Sequence, residues 1–281
     1  VIFETFRSST ERKKIMTFLA TARASLLGVG LCLLTSGGYA HADPSAASSS
    51  ASVLKVDQKA LDILRETGDV LARAKSISFR VKRAFEEPAA NGQPLFYTIL
   101  TEVALQRPDK LKVVTLADGP PSEFYYDGKE MAVFLPAANL VAVEAAPPKI
   151  EELLEAAYVK AGIYFPFVDF IVDDPYTAIT EKLTSAFVVG QSTVVGDTTT
   201  NIVAIANPDF QAQIWIGARD KLPRLVWINP TNSKTKPRSM LEFSNWRLGA
   251  PTSAKLFHSA KAWSAPRMKF AKPGAAHHPA H

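Results

Sequence analysis

The stretch FYYDGKEMAVFLPAANLVAVEAAP, residues 124–147, decides how this chain is read. Asp127-Gly128 is a strong two-residue turn signal, because a type I′ hairpin turn needs positive φ at both central positions. With Tyr126 and Lys129 closing the turn, Phe124 faces Met131, and Tyr126, Val133 and Leu135 join them on one face. Tyr125, Ala132 and Phe134 line the other, and Pro136 and Asn139 mark a loop into a third strand, LVAVEA. A sheet that only covers a core needs one apolar face. The second must therefore be hidden by helices, by another sheet or by a bound molecule.

Upstream, SISFRVKRAFEE, LFYTILTEVALQ and KLKVVTL alternate with period two and are separated by the turn-forming EPAANGQP and RPD. In the second run Leu95, Tyr97, Ile99, Val103 and Leu105 share a face. Before them, VDQKALDILRETGDVLARAKS carries Leu61, Leu64, Leu71 and Ala74 at helical spacing, widened by Ala60, Ile63 and Val70. That amphipathic helix needs a partner surface. Gly68 within it costs about 1 kcal/mol relative to Ala and marks a bend or a close approach.

Downstream of Pro147-Pro148 the pattern turns helical. KIEELLEAAYVKAG has acids in its first turn, which suit a helix N-terminus, and an apolar stripe of Ile150, Leu153, Leu154 and Ala157. FPFVDFIVDDPYTAITEKL reads as two short helices, with Asp174-Pro175 as cap and first position of the second. Residues 149–183 thus form a helical insert. A second meander follows: AFVVGQSTVVGD, TTNIVAIAN, QAQIWIGA, LPRLVWINP and PRSMLEFSNWRL. Its runs Ile214-Trp215-Ile216 and Leu225-Val226-Trp227-Ile228 are again apolar on both faces. The expected class is α+β, a curled antiparallel sheet with helices over its concave face.

Residues 1–42 read as a secretory signal: Arg7, Arg12, Lys13, Lys14 and Arg23 precede the apolar run ASLLGVGLCLLT, and Ala40-His41-Ala42 is an A-x-A processing site. Met16 is an alternative start. Cys32, the single cysteine, follows Leu31 rather than the small residue a lipoprotein signal requires, so the exported chain has no disulfide. Removing the signal takes away five basic and two acidic side chains and leaves 27 against 25. That balance gives no reason to expect nucleic acid as a partner. No later segment is apolar enough over the roughly 20 residues a spanning helix needs. Residues 43–55 form an Ala/Ser-rich leader, 56–272 one domain, and 273–281 a disordered His-containing tail. The compartment expected is the periplasm.

Catalytic motifs are absent. GQSTV at 190–194 lacks the second glycine of a G-x-S-x-G elbow, and no H-E-x-x-H occurs. His277, His278 and His281 offer metal ligands, but in a solvated tail; no metal or cofactor is expected. Asp169 and Asp173 are four apart with Asp174 adjacent, a pattern open to cation or proton binding and equally to capping and solvation. With His258 they make up the weakest alternative, a hydrolase. Residues 255–272 interleave Lys261, Arg267 and Lys269 with Phe257, Trp263 and Phe270, which suits a membrane contact or a last strand closing the barrel.

The strand-rich, helix-rich, strand-rich order, the hairpin stretch, AGIYFPFVDFIVDDP, QIWIGARDKLPRLVWI and the late FSNWR together resemble the bacterial family DUF2092, predicted periplasmic proteins of unknown function. Over residues 57–270 the chain is also similar to the wider group that includes the lipoprotein carrier LolA and the mycobacterial lipoprotein LppX. The resemblance implies a half-open antiparallel β-barrel whose concave side is closed by helices around an apolar cavity that accepts acyl chains in the wider group. Where relatives carry a Cys-His-His run after the VVGD turn, residues 199–205 read TTNIVAI, and the Pro-rich closing is replaced by FHSAKAWSAP. A metal or redox role built on that run is therefore not expected here. Ile99, Val103, Phe124, Tyr126, Met131, Val133, Trp215, Trp227 and Phe243 are the residues expected to hold a lipid or a lipoprotein acyl chain. The competing expectation is an interaction or sensor module with a filled core and an envelope protein as partner.

Overall fold

Eleven strands form one antiparallel sheet in the spatial order β6-β5-β4-β3-β2-β1-β11-β10-β9-β8-β7. In the computed structural model they are β1 (Ser76–Pro88), β2 (Pro94–Gln106), β3 (Lys110–Ala117), β4 (Ser122–Tyr126), β5 (Glu130–Leu135), β6 (Leu140–Ala145), β7 (Ser185–Ser192), β8 (Thr200–Ala206), β9 (Phe210–Gly217), β10 (Pro223–Pro230) and β11 (Ser239–Leu248). Residues 56–117, 121–231 and 238–270 are described, and they belong to one compact unit. The expected signal, leader and His-containing tail, including His277, His278 and His281, lie outside them.

The first six strands step from the middle of the sheet to one edge; the last five begin at the other edge and return until β11 pairs with β1. The chain between the edges must cross the sheet, and it does so as helix α2 (Ile150–Ala161), a 3-10 turn at Val168–Phe170 and helix α3 (Pro175–Thr180). Helix α1 (Gln58–Arg73) packs on α3 and against β7 and β8. The result is a half-open antiparallel β-barrel with helices over its concave face.

Local chemistry sets these ends. Asp57 caps α1, its carboxylate accepting from Lys59 N at 3.2 Å, and Asp174 caps α3, accepting from Thr177 N at 3.0 Å with Pro175 in the first turn. Gly162 takes φ 66° after α2, the left-handed conformation that ends a helix. Gly68 is a close approach: a Cβ there would stand 2.7 Å from Tyr176 Cβ and 2.8 Å from Tyr176 N on α3.

Alternation along β1 assigns the faces. Ile77, Phe79, Val81 and Phe85 are buried, whereas Arg80 and Lys82 face water. Ala60, Ile63, Leu64 and Leu71 of α1 and Ile150, Leu153 and Ala157 of α2 close over the inner row.

The hairpin at 124–135 departs from expectation in register. Phe124 stands opposite Val133, and Tyr126 opposite Met131. Asp127 accepts through one carboxylate oxygen from Lys129 N and Glu130 N, both 3.0 Å, and this moves the turn to Gly128-Lys129. Gly128 takes φ 92° and Lys129 does not share its positive φ, so the turn is not type I′. The shift is two residues, which keeps every side chain on its expected face; a shift of one would have inverted them.

The second apolar face has its own cover. Tyr125, Ala132, Phe134 and Val141 are buried on the outer side under Ala262 and Ala265, with Val143 and Trp263 packed alongside. These belong to the C-terminal segment, expected as a closing strand. It is instead a 3-10 turn at Ala254–Leu256 and helix α4 (Ala260–Ser264), which packs on β5 and β6 and pairs with β6 at the isolated bridge Val141–Arg267. Ser259 caps α4, its hydroxyl accepting from Ala262 N at 3.3 Å, and Pro266 follows the helix end.

Candidate functional site on the inner face of the sheet

The pairing register places Val103, Val113, Phe124 and Val133 in one row across β2 to β5, with Leu105, Leu111, Tyr126 and Met131 in the next. Phe243 faces the same side from β11, opposite Val81. Six of the nine expected ligand-binding residues, Val103, Phe124, Tyr126, Met131, Val133 and Phe243, therefore share this face and are buried. Ile99 continues the row on β2 and is half-buried.

Beside the helices, an aromatic plug from residues 163–171 adds to their cover. Phe165 meets Phe124 edge-on at 5.2 Å and stacks on Phe167 at 5.7 Å. Phe167 meets Phe79 at 5.5 Å, and Phe170 meets Phe243 at 5.3 Å. Tyr126 donates its hydroxyl to Pro147 O at 2.5 Å, and burial pushes its pKa up, with Asp109 and nearby acids adding to the rise. Depressions of about 660 and 370 Å³ open away from this region, the first beside Val143, Val159 and Phe270, the second on the outer face.

Cover thins along the same face. From Val103, buried, exposure rises through Ile99 to Tyr97 at 45 % and Leu95 at 38 %. On β1, Phe85 stacks on Tyr97, ring centres 5.8 Å apart and 27° between planes. Arg83 lies between Val81 and Phe85 with its guanidinium 4.3 Å from the Phe85 ring centre, and Nε donates to Ser239 Oγ at 3.3 Å. Opposite Phe85 the row continues through Ser239, Ile228, Ala212 and Ile205 across β11 to β8. A largely apolar strip thus leads from solvent toward the buried row, with Thr101 and Arg83 set between the two.

Trp215 and Trp227 do not belong to it. Ile214, Ile216 and Val226 point inward and are buried, which sends both tryptophans to the outer face. Trp227 is 38 % exposed between Gln213 and Met240, and Phe187, 49 % exposed, lies in the same outer row. The parity was available in the sequence, since Trp215 shares its face with Gln211 and Gln213 and alternates with Ala212, Ile214 and Ile216. Phe165, Phe167 and Phe170 carried no comparable signal, because an irregular segment has no period to read.

Asp169, Asp173 and His258 each engage a different neighbour. Asp173 accepts from Arg107 Nη1 at 2.8 Å, and its backbone N–H donates to Glu151 at 2.8 Å. His258 Nδ1 is 3.1 Å from Asp127 Oδ2, its ring stacked on Trp263 at 3.9 Å. Asp169 is half-buried on the 3-10 turn, where burial and then the Glu181 charge push its carboxyl up to about 6. Among the described residues no hydrogen bond joins the three, and no three His, Cys, Asp or Glu are grouped as for a metal ion.

The model of the DUF2092 family, described as predicted periplasmic protein, matches residues 60–271. Among curated proteins none matches the chain. Solved structures similar to it include an uncharacterised conserved protein from Thermus thermophilus, 13 % identical over 75 % of this chain and 99 % of that one, with a TM-score of 0.44. The lipoprotein LppX from Mycobacterium tuberculosis is 15 % identical over 70 % of this chain and 99 % of its own, TM-score 0.44. A chain of the Pseudomonas aeruginosa MucA/MucB complex is 16 % identical over 72 % of this chain and 62 % of its own, TM-score 0.41. Among the described residues no helix is long and apolar enough to cross a membrane.

Proposed function

This chain belongs to the DUF2092 family of predicted periplasmic proteins, and from that premise we propose that it is an exported carrier, cleaved after Ala42, that holds a lipid or lipoprotein acyl chain against the inner face of its sheet. The observation that carries the reading is the strip of Phe85, Leu95, Tyr97 and Ile99, apolar, open to solvent at one end and reaching the buried row past Thr101, which precedes Val103 on the same face. Hydrocarbon moved from water onto such a surface gains about 0.8 kcal/mol per buried methylene. A dozen methylenes then gain about 10 kcal/mol, set against association costs of about 4–15 kcal/mol that a preformed surface keeps toward the low end. The guest enters along the strip, and Val103, Phe124, Tyr126, Met131, Val133 and Phe243 receive it as Phe165 and Phe167 give way. Holding and releasing a chain calls for no catalytic group, and the reading assigns no reaction.

The test is mass spectrometry of organic extracts from the purified protein, followed by titration with a fluorescent fatty acid. Retained lipid, with affinity lost in Ile99→Asp, supports the carrier. A protein that comes out bare and takes up no probe sinks it. A filled interaction module is the second reading, favoured by the close packing of Phe124 on Phe165 and by the exposed Phe187 and Trp227 on the outer face. Loss of an envelope-protein cross-link in Trp227→Ala, from a protein free of lipid, would establish that reading instead.

A further inference from the structure

On the outer face the register sets four residues in line: Lys112 of β3 opposite Ala104 of β2, Ala104 opposite Ser78 of β1, and Ser78 opposite Arg247 of β11. Neighbouring strands lie about 4.8 Å apart, so the two cations start about 14 Å from each other with only small side chains between. Both residues line the depression above that low floor, the Lys112 ammonium resting over the Tyr125 ring of the neighbouring β4. The pairing shifts between Ser78 and Arg80, and Asn245 at the irregularity takes φ 56° and lines the depression of about 370 Å³ that opens here. Leu256 from the C-terminal segment closes one side.

Four residues that carry donor groups line this depression: Ser78, Asn245, Lys112 and Arg247. Among the described residues none of them makes a side-chain hydrogen bond or ion pair; Lys112 only lies over the Tyr125 ring at 5.4 Å. Of the carboxylates nearby, Glu102 is in an ion pair and Glu123 is held by a neutral hydroxyl. Glu102 accepts from Arg80 Nε at 2.8 Å and Nη2 at 2.5 Å, and Glu123 accepts from the Tyr125 hydroxyl. The depression is therefore lined by two cations without an ion-pair partner, Lys112 and Arg247, by the Arg80–Glu102 pair and by two neutral donors, over a small, partly covered floor. We propose that it is a binding site for an oxyanion of the phosphate type, free or borne on a lipid head group. A guanidinium fork and an ammonium suit the multiple oxygens of a tetrahedral anion, and charge-assisted bonds of this kind are about twice as strong as neutral ones. The site lies across the sheet from the hydrocarbon strip and stands whether or not that strip carries a lipid.

Titration of the full chain with inorganic phosphate, read by calorimetry, tests it beside sedimentation with phosphatidylglycerol vesicles and phosphatidylcholine controls. Saturable phosphate binding is expected to weaken at least about tenfold in Lys112→Gln with Arg247→Gln. Arg219→Ala, which removes one positive charge on the β9–β10 turn away from the depression, leaves it unchanged. If vesicle binding falls in parallel, the anion is a lipid head group; if phosphate binding alone responds, it is a soluble one. Absence of saturable binding to both probes overturns the site. So does a double variant that binds like wild type, or an Arg219→Ala variant that loses as much. Thermal melts matching wild type show that the variants are folded.

Discussion

At the scale of single residues, Gly68 and Asp169 show how a position can work against its local rule. Ala is the better helix former by about 1 kcal/mol, yet a Cβ at Gly68 would press on the Tyr176 backbone, which cannot swing aside. Gly68→Ala should therefore lower stability by about 1–3 kcal/mol, measured by denaturant midpoint, and an unchanged or raised midpoint would show that α1 and α3 are not in contact. Asp169 has a raised folded pKa of about 6 against an unfolded value near 4. Its contribution is thus fully present below about pH 4 and is lost as pH rises through 6. Asp169→Asn should flatten the pH dependence of the melting temperature over that window and raise stability at pH 7 by about 1–2 kcal/mol. Melts at pH 4.5 and 7.5 decide it. Gly68 was legible as a bend or a close approach; Asp169 was not, because burial on an irregular turn is a tertiary fact.

At the scale of elements, the strands were legible because each alternates, and the hairpin kept its faces despite a wrong register because the slip was even. The C-terminal segment was misread for the opposite reason. Its apolar residues Phe257, Trp263 and Phe270 fit a strand or a cover equally well, and only the surface they meet decides. That surface is the outer side of β4 to β6, and Trp263 fastens the cover: Nε1 donates to Glu130 at 3.0 Å, the ring meets Tyr125 at 5.9 Å and His258 stacks on it. Trp263→Ala should cost about 2–3 kcal/mol and expose the apolar patch around Phe134 to a hydrophobic dye. Asp127 adds a pH signature to the same fastening. Burial pushes its carboxyl up, but the backbone N–H groups of Glu130 and Lys129, and then His258, outweigh this and hold it below the ordinary range. The stability it contributes is present above the ordinary carboxylate pKa and is lost as pH falls through the lowered value. Asp127→Asn should therefore be less stable than wild type at pH 7, the difference shrinking in acid; a constant difference across the titration would remove the carboxylate from the account.

At the scale of the whole molecule, the inner face divides into a plugged part and an open part, and the two make different demands. The plug maximises packing among Phe79, Phe124, Phe165, Phe167, Phe170 and Phe243, whereas a guest needs volume in the same place. Removing one ring separates these demands. Phe165→Ala should lower stability by about 3–5 kcal/mol, since a buried ring is lost and a cavity remains. If the guest chain reaches Phe124, the same variant should bind fatty acid more tightly than wild type, because it no longer has to displace that ring, and Ile99→Asp in the Phe165→Ala background should abolish the gain by blocking the entrance. Equal affinity in Phe165→Ala and wild type would confine the guest to the strip of Phe85, Leu95, Tyr97 and Ile99, and the buried row would then serve only to hold the half-barrel together.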